Sequence, residues 1–275
     1  MEIFYFGPPS RRLFGVLDCP ETKARVGLVF CPPFGEEMIT TYARLALWGK
    51  ALVRKGFAVL RFHPYGTGES DGSFKDFSID GALRDTQTAI DCLHERVNVQ
   101  RTGLFGLRFG AFLAVQAALA SSIDLMLVWS PVTDLRPYCR ELLRSRLTAE
   151  LVHLKAERVR VTTRDMIAEF EAGKNVDILG YEFSPSLYRQ MNESLAWPAQ
   201  PTSPKALWLS RISERPQLAS IPDDWTREEG DARLRFLPEI PFWEEFSSVF
   251  PAKFAGASEE WLAAFAGRHS QAPAF

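Results

Sequence analysis

The sequence predicts an α/β fold: a mostly parallel, doubly wound sheet with a helical cap inserted into it. Three observations carry that expectation. Short apolar runs alternate with segments of helical periodicity from Arg25 to Trp129. The alternation stops at about residue 134 and resumes after the proline-rich link Trp197-Pro-Ala-Gln-Pro-Thr-Ser-Pro204. Glycine-rich loops directly follow the apolar runs, which is the edge where open parallel sheets bind ligands.

Taken in order, Glu2 to Phe6 and Leu13 to Leu17 read as an antiparallel hairpin at the sheet edge. Val26 to Cys31 is a buried strand, and Ile39 to Lys55 is a helix stopped by Gly56. Phe57 to Phe62 is the next strand, followed by the glycine-rich loop His63 to Gly72 and by a helix that Ser78 caps and that runs towards His94. Thr102 to Phe105 is a strand, Phe109 to Ala120 a small-residue helix, and Asp124 to Trp129 a fourth buried strand. Residues 134 to 200 carry helical patterns at Leu135 to Glu157, Thr163 to Ala172 and Ser184 to Leu195, with no convincing strand between them. Lys205 to Ser210 and Ala232 to Leu237 return to the sheet, and Ser258 is read as the N-cap of a last helix ending near Phe265. The expected division is therefore a core of 1–133 and 201–275 with a cap of 134–200.

Composition narrows the function. The 275 residues carry a net charge of −2, so no global positive field is present to hold a nucleic-acid backbone, and no nucleic-acid partner is expected. The start lacks the basic flank and apolar core of a secretion signal, and no later stretch approaches the length of a membrane span, so a cytoplasmic protein is expected. The four cysteines, Cys19, Cys31, Cys92 and Cys139, have no CxxC spacing and read as reduced, mostly structural thiols rather than a disulfide framework or zinc site. The Gly66-x-Gly68 loop lacks the Lys-Ser/Thr ending of a phosphate-binding loop and the spacing of a dinucleotide turn. No metal or cofactor is expected.

The chemistry concentrates at Gly106-Leu-Arg-Phe-Gly110, between a strand and a helix. Its glycine spacing is that of the G-x-S-x-G nucleophile elbow, in which the central residue projects from a strained turn and the next N–H helps to bind an oxyanion. Here the centre is Arg108. A guanidinium stays protonated and has no lone pair to donate, so the substitution removes serine-type nucleophilic chemistry.

The order strand, Cys31-Pro-Pro-Phe-Gly-Glu-Glu37, strand, His63-Pro-Tyr-Gly-Thr-Gly-Glu-Ser-Asp-Gly72, strand, glycine elbow, helix, strand, helical cap resembles the α/β-hydrolase superfamily, and the chain carries the motifs Pro33-Phe-Gly-Glu-Glu-Met38, Leu104-Phe-Gly-Leu-Arg-Phe-Gly-Ala111, Leu127-Val-Trp-Ser-Pro-Val132 and Asp177-Ile-Leu-Gly-Tyr-Glu182. More closely, they are similar to the bacterial exosortase A system-associated hydrolases, type 2, over residues 25 to 245. The resemblance implies the α/β-hydrolase fold, a setting in exopolysaccharide production and surface sorting, and an Arg at the elbow centre as the expected residue. It places Phe34 and Gly35 at the superfamily's oxyanion loop, His63 where a loop-fixing Asp is usual, and Trp243 or a neighbour near the place of the triad His. His269 is the only later histidine and lies in an Ala- and Ser-rich tail. Ser213 and Glu214 are the candidates at the acid position.

Two functional readings follow. In the favoured one, the chain is an accessory protein without the Ser and His of a triad, and Arg108 with the helix N-terminus binds a small anionic or acyl ligand, lined by Phe34, Gly35, Glu36, Glu37, Phe109 and Trp243. An internal pair between Arg108 and Glu36 or Glu37 is the bland alternative. In the other reading, the chain is an active hydrolase of esters, thioesters or acylated saccharides. It would use a non-serine constellation drawn from Arg108, His63, Cys31 and Ser130, since Cys31 and Ser130 end strands and His63 is the histidine on the right edge. Hydrolase activity is thus suggested by resemblance alone. A filled pocket would favour a scaffolding role, with a protein partner or homodimer as the interaction.

Overall fold

The structure is a computed structural model that describes residues 1–153, 161–193, 205–214, 232–244 and 249–267. The hairpin β1 (Glu2–Phe6) and β2 (Leu13–Asp18) leads into β3 (Val26–Cys31), α1 (Glu36–Arg54) and β4 (Phe57–His63). Then follow α2 (Ile79–Arg96), β5 (Arg101–Leu107), α3 (Phe109–Ala118) and β6 (Leu125–Trp129). After an excursion, β9 (Ala206–Arg211), β10 (Ala232–Leu237) and α7 (Ala252–Gly267) complete the sheet layer. The eight strands lie in the order β1-β2-β4-β3-β5-β6-β9-β10. Only the β1–β2 and β2–β4 pairings are antiparallel. All others are parallel.

This order follows from burial. All six residues of β3 and all five of β6 are buried, as strands covered by helices on both faces must be. One face packs Phe30, Phe105 and Trp129 against Trp48 of α1 and Phe254 of α7. The other carries α2 and α3, and α3 is buried along its whole length. Ser78 caps α2 by accepting from the Gly81 N–H, as the sequence predicts. Cys31, Cys92 and Cys139 are buried free thiols and Cys19 is exposed. Among the described residues no helix is long and apolar enough to cross a membrane.

The excursion between β6 and β9 contains α4 (Leu135–His153), α5 (Thr163–Glu171) and α6 (Pro185–Asn192). It also holds a two-stranded hairpin, β7 (Val176–Ile178) and β8 (Tyr181–Phe183), which corrects the expectation of helices alone. Three residues per strand are too few to show a period, and the turn between them rests on positive φ at Leu179 and Gly180. A second correction concerns Ser258, which lies inside α7 rather than at its start. Its hydroxyl donates to the Phe254 carbonyl and accepts from the Trp129 indole N–H, so a buried role replaces the cap.

Candidate functional site

The elbow is built by two glycines that no other residue can replace without displacing the backbone. A Cβ on Gly106 would lie 2.2 Å from the Gly110 carbonyl oxygen, and one on Gly110 would lie 2.2 Å from the carbonyl of Cys31. The strand β5, the helix α3 and the end of β3 therefore meet at contact distance. Between the glycines, Arg108 takes φ 54° and ψ −117°, a conformation that costs a non-glycine residue on the order of 1–3 kcal/mol. Its backbone is held on both sides: the N–H donates to Trp129 and the carbonyl accepts from Ala111 and Val132. The turn is thus that of a nucleophile elbow with a guanidinium in the projecting position.

Arg108 is answered by carboxylates. Its Nε donates to Glu37 Oε1 at 3.0 Å, and the two side chains are only 12% and 13% exposed. Tyr138, from α4, donates its hydroxyl to Glu37 Oε2 at 3.0 Å, so both carboxylate oxygens are engaged. Glu36, the other candidate, is not among the partners of Arg108; it lies where its charge acts on Tyr181. A second, longer contact runs from Arg108 Nη2 to Glu141 at 3.4 Å, and the Glu141 side chain is 61% exposed. Burial works against the Arg108 charge, but Glu37, Tyr138 and Glu141 together hold the guanidinium protonated. Burial also drives the Tyr138 hydroxyl well above its ordinary value, reinforced by Glu37, which keeps it a donor. Burial pushes the Glu37 carboxyl up, against the pull of Arg108 and of the Tyr138 hydroxyl.

Aromatic rings surround this cluster. The Arg108 guanidinium lies 5.5 Å from the Tyr138 ring centroid and 5.3 Å from that of Trp243, which also has Arg211 at 5.7 Å. Phe34, on the loop after β3, packs within about 5–6 Å of Phe74, Phe77, Phe109 and Phe183, with Tyr138 slightly further. These contacts pack the loop after β3 against both the elbow and the excursion. Phe34 and Phe109 therefore meet ring to ring, at 5.1 Å.

The remaining candidates are dispersed. Trp243 is buried beside Arg108, its carbonyl accepting from Thr40 of α1. Glu214 accepts from the Arg211 N–H at 2.9 Å and caps the end of β9. Ser130 has φ 41°, and its hydroxyl is buried with no partner among the described residues. Cys31 is buried, and that burial pushes its thiol up to about 12. His63 Nδ1 accepts from the Glu69 N–H at 3.0 Å, which puts the proton of the neutral ring on Nε2. Burial, with Arg61 beside it, lowers His63 to about 4. With one nitrogen accepting and the other protonated, the ring has no lone pair free for a nucleophile. His269 lies outside the described residues.

Sequence reasoning missed Tyr138, Glu141 and the Phe74, Phe77 and Phe183 rings. The one available signal was the helical spacing of Tyr138 and Glu141, i and i+3 on α4, which sets both over one face.

The sheet order, the elbow and the position of the excursion define an α/β-hydrolase fold. The chain is similar to Est1E from Butyrivibrio proteoclasticus, solved with ferulic acid bound, at a TM-score of 0.69 and 15% identity, covering 96% of this chain and 99% of that one. GrgF, an α/β hydrolase from Penicillium sp. sh18, matches at 0.64 and 18% over 96% and 98%. XC6422 from Xanthomonas campestris, described as an α/β serine hydrolase without a lid, matches at 0.59 and 17% over 96% and 94%. No protein-family model and no curated protein matches the chain.

Proposed function

We propose that this chain is an α/β-hydrolase-fold accessory protein whose serine-triad chemistry is absent, and that it binds a small anionic or acyl ligand at Arg108 under a cap formed by residues 134–200. The observation that carries the reading is the guanidinium in the elbow position, bonded through Nε to Glu37 and through Nη2 to Glu141. Glu37 is buried and doubly engaged, so it stays. Glu141 is exposed and holds Arg108 only at long range, so it is the partner that an incoming carboxylate or phosphate replaces. The sequence resemblance supports a role linked to exopolysaccharide production and exosortase sorting.

The test is calorimetric titration of octanoate and of inorganic phosphate into the wild-type protein and into Glu141→Gln. Removing the competing carboxylate tightens whichever anion the site accepts, by about threefold to tenfold, while the Arg108–Glu37 pair remains in place. Absence of binding to both proteins, or equal affinity in the two, would overturn the assignment.

A further inference from the structure

A second site lies away from the elbow, between α1 and the antiparallel edge of the sheet. Its floor is set by strand register. Phe14 pairs with His63 and Val16 with Arg61, so these four side chains stand in two adjacent rows on the face that α1 covers. Met38, Thr41, Tyr42 and Leu45 of α1 form the roof, and together they enclose a cavity of about 40 Å³. That is about three times the least volume that holds one water.

The cavity is mostly apolar, with His63, Arg61, Thr41 and Tyr42 as its polar side chains. The Nδ1 and Cε1 edge of His63 is turned to Gly68, whose added Cβ would lie 2.2 Å and 2.7 Å from those atoms. The opposite edge, Nε2–Cδ2, is turned away from that loop, and His63 lines the cavity. Because Nδ1 already accepts from Glu69, Nε2 presents an N–H. Arg61, the next residue on this face, has its charge met by Asp18 at 3.1 Å, and its buried Nε has no partner among the described residues. The site is thus electrically neutral, with the His63 N–H as its donor and the hydroxyls of Thr41 and Tyr42 on its roof.

Beyond the cavity the floor continues without a helix above it. Tyr5 pairs with Phe14 and Ile3 with Val16, and both are exposed. Ring contacts link Tyr5 to Phe14, Phe14 to His63 and His63 to Tyr42 without a break. A ligand longer than the cavity has apolar surface along which to leave.

The geometry points to a binding site for a neutral acyl compound, an amide or ester, whose short aliphatic end fills the cavity and whose carbonyl accepts from His63 Nε2. A free carboxylate is disfavoured because Arg61, the cation among the described residues that line the cavity, is already paired with Asp18. The site is independent of the Arg108 reading.

The test uses butyramide, with butyrate as the charged counterpart, and follows the ¹⁵N resonances of the His63 ring. A saturable shift of Nε2 is expected with butyramide at a Kd on the order of millimolar, as suits so few atoms, and butyrate binds more weakly. His63→Asn keeps an acceptor for the Glu69 N–H but loses the Nε2 donor, and weakens butyramide about fivefold to tenfold in a titration read on the Met38 methyl. Met38→Trp, at a half-buried position, fills the cavity and abolishes the shift. Glu141→Gln leaves it unchanged, which separates this site from the elbow. No saturable shift at tens of millimolar would overturn the site. Butyrate binding the tighter, or affinity indifferent to His63→Asn, would overturn the carbonyl assignment.

Discussion

The elbow and the His63 cavity sit at the same end of the same sheet, yet they handle polar groups in opposite ways. At the elbow, Arg108 is placed by a strained turn and then neutralised: Glu37 takes Nε, Tyr138 fixes Glu37, and the exposed Glu141 meets Nη2 at 3.4 Å. At the cavity, His63 is anchored through Nδ1 to its own loop and its outward edge is left with a donor and space. A charge in a tight, dry turn has to be neutralised by neighbours, whereas a neutral imidazole can be left half-bonded at small cost. Loss of a partner is therefore severe at the first region and mild at the second.

The largest effect is expected from Glu37→Ala, which leaves Arg108 buried without its main counterion. A loss of about 3–5 kcal/mol in urea unfolding is expected. The double variant Arg108→Met with Glu37→Leu recovers most of that loss, because the pair then goes together; if it is as unstable as Glu37→Ala alone, the cluster is not the cause.

Next in size is a pH effect at the other region. His63 titrates at about 4 in the folded protein, against 6.5 as its ordinary value, so folding favours the neutral ring. Its contribution is complete above about pH 6.5 and is lost as pH falls towards 4, amounting to on the order of 3 kcal/mol. Unfolding curves of wild type and His63→Asn, run from pH 7 to pH 4, should converge as the pH drops. Parallel curves would show that His63 is not the titrating group.

Tyr138→Phe removes one hydrogen bond to a buried carboxylate and is expected to cost about 1.5–3 kcal/mol, less than loss of Glu37 itself. The smallest change belongs to Glu141→Gln, within about 0.5 kcal/mol, since an exposed partner at 3.4 Å contributes little to folding. A large loss there would mean that the cap-side contact is structural, and would weaken its reading as the replaceable partner.

Much of this was legible in the residues, and the remainder has physical reasons for being hidden. The order of strands and helices through β6 could be read because fully buried strands are continuous apolar runs, as at Val26 to Cys31. The pairing of Arg108 with the acidic start of α1 was also legible, since a buried guanidinium requires a carboxylate. The choice of Glu37 over Glu36 was not, because it depends on where the first helical turn points each side chain. Tyr138 was hidden for a different reason: it reaches Glu37 across 101 residues of chain, by a packing that no local pattern encodes. The β7–β8 hairpin is too short to carry a period, and Ser258 imitates a cap until the Trp129 indole is seen against it.

That a guanidinium stands where a nucleophile would project, and that no serine-type hydrolysis occurs there, is tested most directly by turnover. Purified wild-type protein, Arg108→Ala and His63→Ala would be assayed on a panel of short- and medium-chain aryl esters and thioesters. The account predicts no hydrolysis above buffer by any of the three. Hydrolysis by the wild-type protein that disappears in Arg108→Ala and His63→Ala would contradict it and would establish a non-serine mechanism in this fold.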